Sequence, residues 1–196
     1  MALRVVQWAT GSVGVAAIKG VLEHPELELV GCWVHSEAKS GKDVGEIIGT
    51  APLGVTATNN IDDVLRLDAD AVIYAPLVGN VEEVAALLRS GKNVVTPVGW
   101  VYPSERAADP LEVAAQAGNA TLHGVGIAPG AVSELFPLLL SVMSTGVTFV
   151  RCEEFSDLRT YDAPDVLRHV MGFGGTPDIA LTGPMQKTLN SGFIQS

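Results

Sequence analysis

Apolar positions in the first two-thirds of the chain fall into short continuous runs, each followed by a stretch with helical spacing. Leu3 to Ala9, Leu27 to His35, Val55 to Thr58, Asp70 to Leu77, Asn93 to Pro97 and Ala120 to Ile127 read as strands. Most are unbroken rather than alternating, the pattern of strands covered by helices on both faces. Between them, Val13 to Leu22 reads as a helix stopped by His24-Pro25. Asn60 caps the next, with Asp62 and Asp63 in its first turn. Asn80-Val81-Glu82-Glu83 reads as a capping box whose helix runs to Ser90, with Gly91 just past its end. Asp109-Pro110-Leu111-Glu112 opens a further helix that ends at Gly118. The alternation predicts an α/β domain over residues 1–130, a Rossmann-type doubly wound parallel sheet.

The style changes after Pro129-Gly130. Ala131 to Met143 is an apolar helix candidate interrupted by Pro137, and Val147 to Phe155 reads as one strand. Helical pieces follow at Ala163 to Val170, Pro177 to Leu181 and Met185 to Asn190, around the loop Gly172–Gly175. A lone strand is not stable without partners. Residues 131–196 are therefore expected to begin an incomplete α+β second domain. Either the chain is a fragment, or strands from another copy finish the sheet.

The junction between the first strand and first helix carries the chemistry. Ala9-Thr10-Gly11-Ser12-Val13-Gly14 ends an apolar run and opens a helix. Gly11 would let a pyrophosphate approach the backbone, and Gly14 would let helix and strand pack closely. The N–H groups of Ser12, Val13 and Gly14 would face the phosphates. Ala9 stands where the first glycine of G-x-G-x-x-G would be. The bland alternative is an ordinary strand-to-helix turn. The position after the first of six strands favours dinucleotide binding.

The second strand ends Val34-His35-Ser36, without the acid that accepts from an NAD ribose. His35, Ser36 and Lys39 would instead surround a 2′-phosphate, which favours NADP over NAD; a solvated loop is the alternative. Tyr74-Ala75-Pro76-Leu77 and the loop Thr96 to Trp100 lie at carboxyl ends of strands, where the nicotinamide ribose and ring would sit. For Trp100 and Tyr102, cofactor lining and plain hydrophobic capping remain open. Glu134 reads either as a carboxylate facing a cationic substrate or as a first-turn helix acid, the second being favoured. His123, inside a strand, reads as a core histidine. No catalytic grouping is evident, and no His/Cys cluster has metal spacing.

Composition narrows the classes. The chain has 196 residues, 47% of them hydrophobic, with a formal net charge of −10. It can bury a core, and it lacks the basic clusters of a nucleic-acid binder. No apolar run is long enough to span a bilayer, and nothing near the N-terminus reads as a signal peptide, so a cytoplasmic protein is expected. Cys32 and Cys152 are then expected to be buried thiols.

The segment from Gln7 to Gly49, with Gly91–Thr96 and His123–Gly130, resembles the dihydrodipicolinate reductase-like proteins. The closer likeness is to the branch with 2,4-diaminopentanoate dehydrogenase and the native amine dehydrogenases. The resemblance implies an NAD(P)-dependent oxidoreductase transferring hydride to a C=N bond, or from an amine in reverse. By position it implies that Gly11, Ser12, Val13 and Gly14 hold the pyrophosphate, with Ala9 and Thr10 of the same turn also binding the cofactor. His35, Ser36 and Lys39 would meet the adenosine ribose, and Ala75 and Pro76 the nicotinamide ribose. It further implies a small-molecule substrate and a dimer formed through the C-terminal region. Amine dehydrogenases place a glutamate in the loop after the fifth strand; here Pro97-Val98-Gly99-Trp100 has no carboxylate until Glu105. A dinucleotide-binding module without catalysis, or an inactive fragment, is the alternative.

Overall fold

A computed structural model describes residues 2–101, 105–153 and 155–184. The chain forms two compact units, Met1–Val125 and Gly126–Ser196. In the first, β1 (Leu3–Trp8), β2 (Leu27–Trp33), β3 (Ala57–Thr58), β4 (Ala71–Tyr74), β5 (Asn93–Thr96) and β6 (Leu122–Gly124) form one sheet. The strand order is β3-β2-β1-β4-β5-β6 and every pairing is parallel. This is the doubly wound Rossmann order, with its direction reversing between β1 and β4.

Adjacent residues of β1 feed opposite faces. Val5 joins Ile18 and Val21 of α1 (Ser12–Glu23), and Val44 and Ile48 of α2 (Val44–Ile48). Val6 joins Val64 of α3 (Ile61–Arg66), Val84, Leu87 and Leu88 of α4 (Val81–Arg89), and Leu111 and Ala114 of α5 (Glu105–Gly118). Two cores therefore sandwich the sheet, which is why its strands are apolar on both sides. Each fully buried Leu, Ile or Val on these faces contributes roughly 1.5–3 kcal/mol of burial.

The elements depart locally from the sequence expectation. β2 ends at Trp33 rather than His35, because β3 offers partners only to Cys32 and Trp33. α2 lies outside the expected elements; Asp43 caps it by accepting from Gly45 N–H while also accepting from Leu53 and Gly54 N–H. These bonds, the one from Leu53 foremost, hold the Asp43 carboxyl below its ordinary pKa. α5 starts at Glu105, four residues before the expected box, and accommodates Pro110 inside it. A proline there removes a single helical hydrogen bond.

In the second unit a π-helical segment, Ile127–Leu135, leads into α6 (Phe136–Ser141). Pro137 stands in the first turn of α6, where its missing N–H costs nothing, so the expected single helix becomes two segments. Residues 147–153 and Phe155 form no strand, since no partner strand lies beside them among the described residues. Cys152 is consequently exposed, not buried as expected. A π-helical turn covers Val166–Val170, and α7 covers Pro177–Thr182. The helix expected over Met185 to Asn190 lies outside the described residues. Leu138, Leu139, Leu140 and Phe149 are exposed. Among the described residues, no helix is long and apolar enough to cross a membrane.

Candidate functional site

β1 delivers the chain to a sharp turn. Ala9 has φ +71°, the left-handed conformation that glycine occupies without strain and that costs alanine roughly 1–2 kcal/mol. The replaced glycine of the motif is therefore a real conformational requirement, which alanine meets at a cost. Its carbonyl turns into the notch left by Gly14, where any side chain at residue 14 would collide with it. Gln7, fully buried in β1, donates from Nε2 to the carbonyls of Ala9 and Trp8, both at 3.0 Å.

α1 begins at Ser12 with Gly11 as its N-cap, and no side chain caps it. The first intrahelical bond of the turn runs from Val15 N–H to Gly11 O at 2.9 Å. The N–H groups of Ser12, Val13 and Gly14 thus have no helical acceptor. The neighbouring helices differ: Asp43, Asn60 and Asn80 each cap theirs through a side-chain oxygen. Gly11 is extended, and a Cβ built on it meets nothing within 4 Å. Neither conformation nor packing requires glycine there. A space and free donors at a helix N-terminus are what an anionic group needs.

The turn sits where the sheet reverses direction. Ala9 N–H donates to Trp33 O at 2.8 Å, and Ala75 N–H to Trp8 O at 3.1 Å, tying the carboxyl ends of β2 and β4 to β1. Beside it opens a cleft of about 900 Å³, lined by Trp8, Ala9, Trp33, His35, Pro76 and the chain onward to Glu83. Trp8 and Trp33 stack with centroids 4.3 Å apart, and His35 lies against Trp33 at 6.2 Å. An apolar, aromatic wall with a few polar groups suits a heterocyclic ligand.

The expected adenosine residues divide. His35 and Ser36 are exposed just past β2, whereas Lys39 folds back onto the glycine turn. Its Nζ donates to Thr10 Oγ1 at 3.0 Å and Thr10 O at 3.3 Å. A cation is thus held against the turn itself. The acidic net charge of the chain does not prevent a locally positive phosphate site.

Across the cleft, buried Tyr74 joins β4 to α4. Its hydroxyl donates to Glu83 Oε2 at 2.6 Å and accepts from Asn80 N–H at 3.0 Å. Asn80 Oδ1 accepts from the N–H groups of Glu82 and Glu83, as expected. The reciprocal half of the box is replaced, because Tyr74 intercepts both the Glu83 carboxylate and the Asn80 N–H. Burial and the bond to Glu83 push the Tyr74 phenol well above its ordinary pKa.

Other candidates fare differently. Trp100 packs on the core, with φ +57°, and its ring fills the space beside Gly79, so it is a wall of the β4–β5 loops. His123 is exposed on edge strand β6 and is not a core histidine. Glu134 is no first-turn acid: it lies late in its π-helical segment and accepts from Gly130 N–H and Ser133 Oγ. Tyr102 lies outside the described residues. Gln7, Trp8 and Trp33 are absent from the residues expected at the site, and Tyr74 enters only within the segment Tyr74 to Leu77 at the end of β4. The signal for Gln7 was on view, as the lone amide in an apolar strand.

These features define a dinucleotide-binding Rossmann domain. Residues 5–99 match the family model described as dihydrodipicolinate reductase, N-terminus. The chain is 39% identical over 186 residues to an amine dehydrogenase of Streptomyces virginiae, covering 88% of this chain and 51% of that protein. It is 38% identical over 74 residues to a 4-hydroxy-tetrahydrodipicolinate reductase of Synechocystis, covering 38% of this chain and 27% of that one. The fold is similar to that of the amine dehydrogenase from Mycobacterium smegmatis, with TM-score 0.64 and 24% identity over 71% of this chain and 44% of that chain. Over residues 5–99 the chain is similar to the dihydrodipicolinate reductase N-terminal family, and over most of its length to an amine dehydrogenase. It spans about half the length of the amine dehydrogenase it matches in sequence.

Proposed function

We propose that this chain carries the nicotinamide-cofactor domain of an oxidoreductase that transfers hydride between NAD(P) and a C=N or C–N bond of a small imine or amine, or a related carbonyl. The observation that carries the reading is the α1 N-terminus, left uncapped at Gly11 beside helices that are capped. The sequence match to an amine dehydrogenase supports the substrate class.

In this reading Ser12, Val13 and Gly14 present their N–H groups to the pyrophosphate, with the helix dipole behind them. Ala9, Thr10 and Gly11 shape the turn. Lys39 supplies positive charge next to it, and His35 and Ser36 flank the adenosine ribose. An acid at the end of β2 would repel a 2′-phosphate; its absence favours NADP over NAD. Ala75 and Pro76 line the nicotinamide ribose. The bound cofactor would supply or accept the hydride, and the chain would orient it. Residues 131–196 would contribute to substrate binding and to a dimer, in a protein of the cytoplasm.

Titration of the purified chain with NADPH and NADH, followed by nucleotide fluorescence, tests the reading. Saturable binding of NADPH tighter than NADH is expected. Absence of binding by either defeats it.

A further inference from the structure

We propose that Gln7 is a positioning residue of the dinucleotide turn, its buried amide locking the Ala9 peptide in the left-handed conformation that aims residues 10–14 at the pyrophosphate. The proposal rests on the cofactor reading above. Three observations converge on one atom, the Ala9 carbonyl oxygen. Ala9 holds φ +71° although it carries a side chain. Its oxygen occupies the notch that Gly14 leaves open. The Gln7 amide donates to that oxygen and to Trp8 O, both at 3.0 Å. Two carbonyl acceptors at this distance require the nitrogen end of the amide to face the turn.

The cost of the arrangement shows that it is specific. Gln7 is fully buried in a strand whose neighbours Val5, Val6 and Trp8 are apolar, and its Oε1 has no hydrogen-bond partner among the described residues. A buried amide half-satisfied in this way is unfavourable unless its donor end is needed. With glycine at residue 9 the left-handed turn would form without strain, and a lock would be superfluous. With alanine there, the peptide needs an acceptor-side anchor to stay flipped. Gln7 and Ala9 thus replace together what a glycine would do alone.

The test is a double-mutant cycle on the full chain, reading NADPH and NADH dissociation constants and the thermal midpoint for wild type, Gln7→Met, Ala9→Gly and the double variant. Gln7→Met is expected to weaken both nucleotides alike by about tenfold, the loss of one buried anchoring hydrogen bond. In the Ala9→Gly background the same change is expected to cost no more than about twofold, with a smaller thermal loss. A buried amide serving only general stability would cost the same in both backgrounds, and that result overturns the proposal. So does wild-type affinity in Gln7→Met. Should Gln7→Met not fold, Gln7→Asn, too short to reach Ala9, takes its place with the same criteria. If the wild type binds neither nucleotide, the cofactor reading fails and the positioning role with it. The thermal cycle then still reports whether Gln7 and Ala9 are coupled, so the two failures are distinguishable.

Discussion

Lys39 and Thr10, 29 positions apart in sequence, meet at the glycine turn: the lysine ammonium donates to both the threonine hydroxyl and its carbonyl, at 3.0 and 3.3 Å. The loop after β2 is thereby pinned to the loop after β1, and a positive charge is fixed where cofactor phosphates would lie. A charge-assisted bond to phosphate is stronger than a neutral one. Lys39→Met is expected to weaken NADPH about tenfold or more, and NADH by less, corresponding to about 1.4 kcal/mol or more for the phosphorylated cofactor. Parallel nucleotide titrations check this. Equal losses for the two would assign Lys39 to the pyrophosphate rather than the 2′-phosphate.

Tyr74 supports the opposite wall. Removing its hydroxyl leaves the Glu83 carboxylate without its donor and Asn80 N–H without its acceptor. Tyr74→Phe is expected to cost about 1–3 kcal/mol, read as a lower urea midpoint at unchanged slope. The pH dependence has a definite sign. The folded-state pKa is raised, so the neutral phenol's stabilisation is complete below the unfolded value of about 10 and is lost as pH rises beyond it. Alkaline titration at the phenolate absorbance should show Tyr74 silent until the protein unfolds. A native-state Tyr74 transition near the ordinary value would contradict the buried network.

How much of this was legible in the chain depends on what each residue answers to. The strands and the capped helices were, because runs such as LRVVQW and caps such as Asn60 and Asn80 are local signals that the tertiary structure reinforces. Gly11 and Gly14 were placed by the motif, but their distinct duties appear only in space: one lacks any neighbour, the other faces the Ala9 oxygen. Tyr74 broke the capping box at Asn80, a contact between a strand and the helix that follows it which spacing cannot encode. The strand expected at Val147–Phe155 failed for a similar reason, since its apolar pattern states a preference and a sheet requires a partner.

The two cysteines should behave oppositely. Cys32 is buried in β2, and burial pushes its thiol up to about 12 although the Lys39 charge opposes this. Cys152 is exposed. At pH 8 a disulfide reagent such as Ellman's should titrate Cys152 in the native protein and Cys32 only after denaturation. Cys152→Ser should abolish the native reaction. Rapid native labelling of Cys32 would mean that the α2 side of the sheet opens readily.

Gly11 and Gly14 separate binding from folding. Asp at Gly11 would find open space in an extended conformation, and it would sit at the N-cap of α1 with its carboxylate toward unpaired N–H groups. Such a cap is worth a few tenths to about 1 kcal/mol over glycine, so Gly11→Asp should leave the fold intact or raise its thermal midpoint. The same carboxylate would occupy the phosphate position and repel the cofactor, so nucleotide binding should fall by at least about a hundredfold. Gly14→Ala reverses the balance: its Cβ would strike the Ala9 oxygen, forcing the turn apart and lowering stability by about 1–3 kcal/mol as well as affinity. Thermal unfolding and nucleotide titration of both variants check the contrast. Loss of stability in Gly11→Asp without loss of affinity would show that α1 was left uncapped for a reason unrelated to an anion.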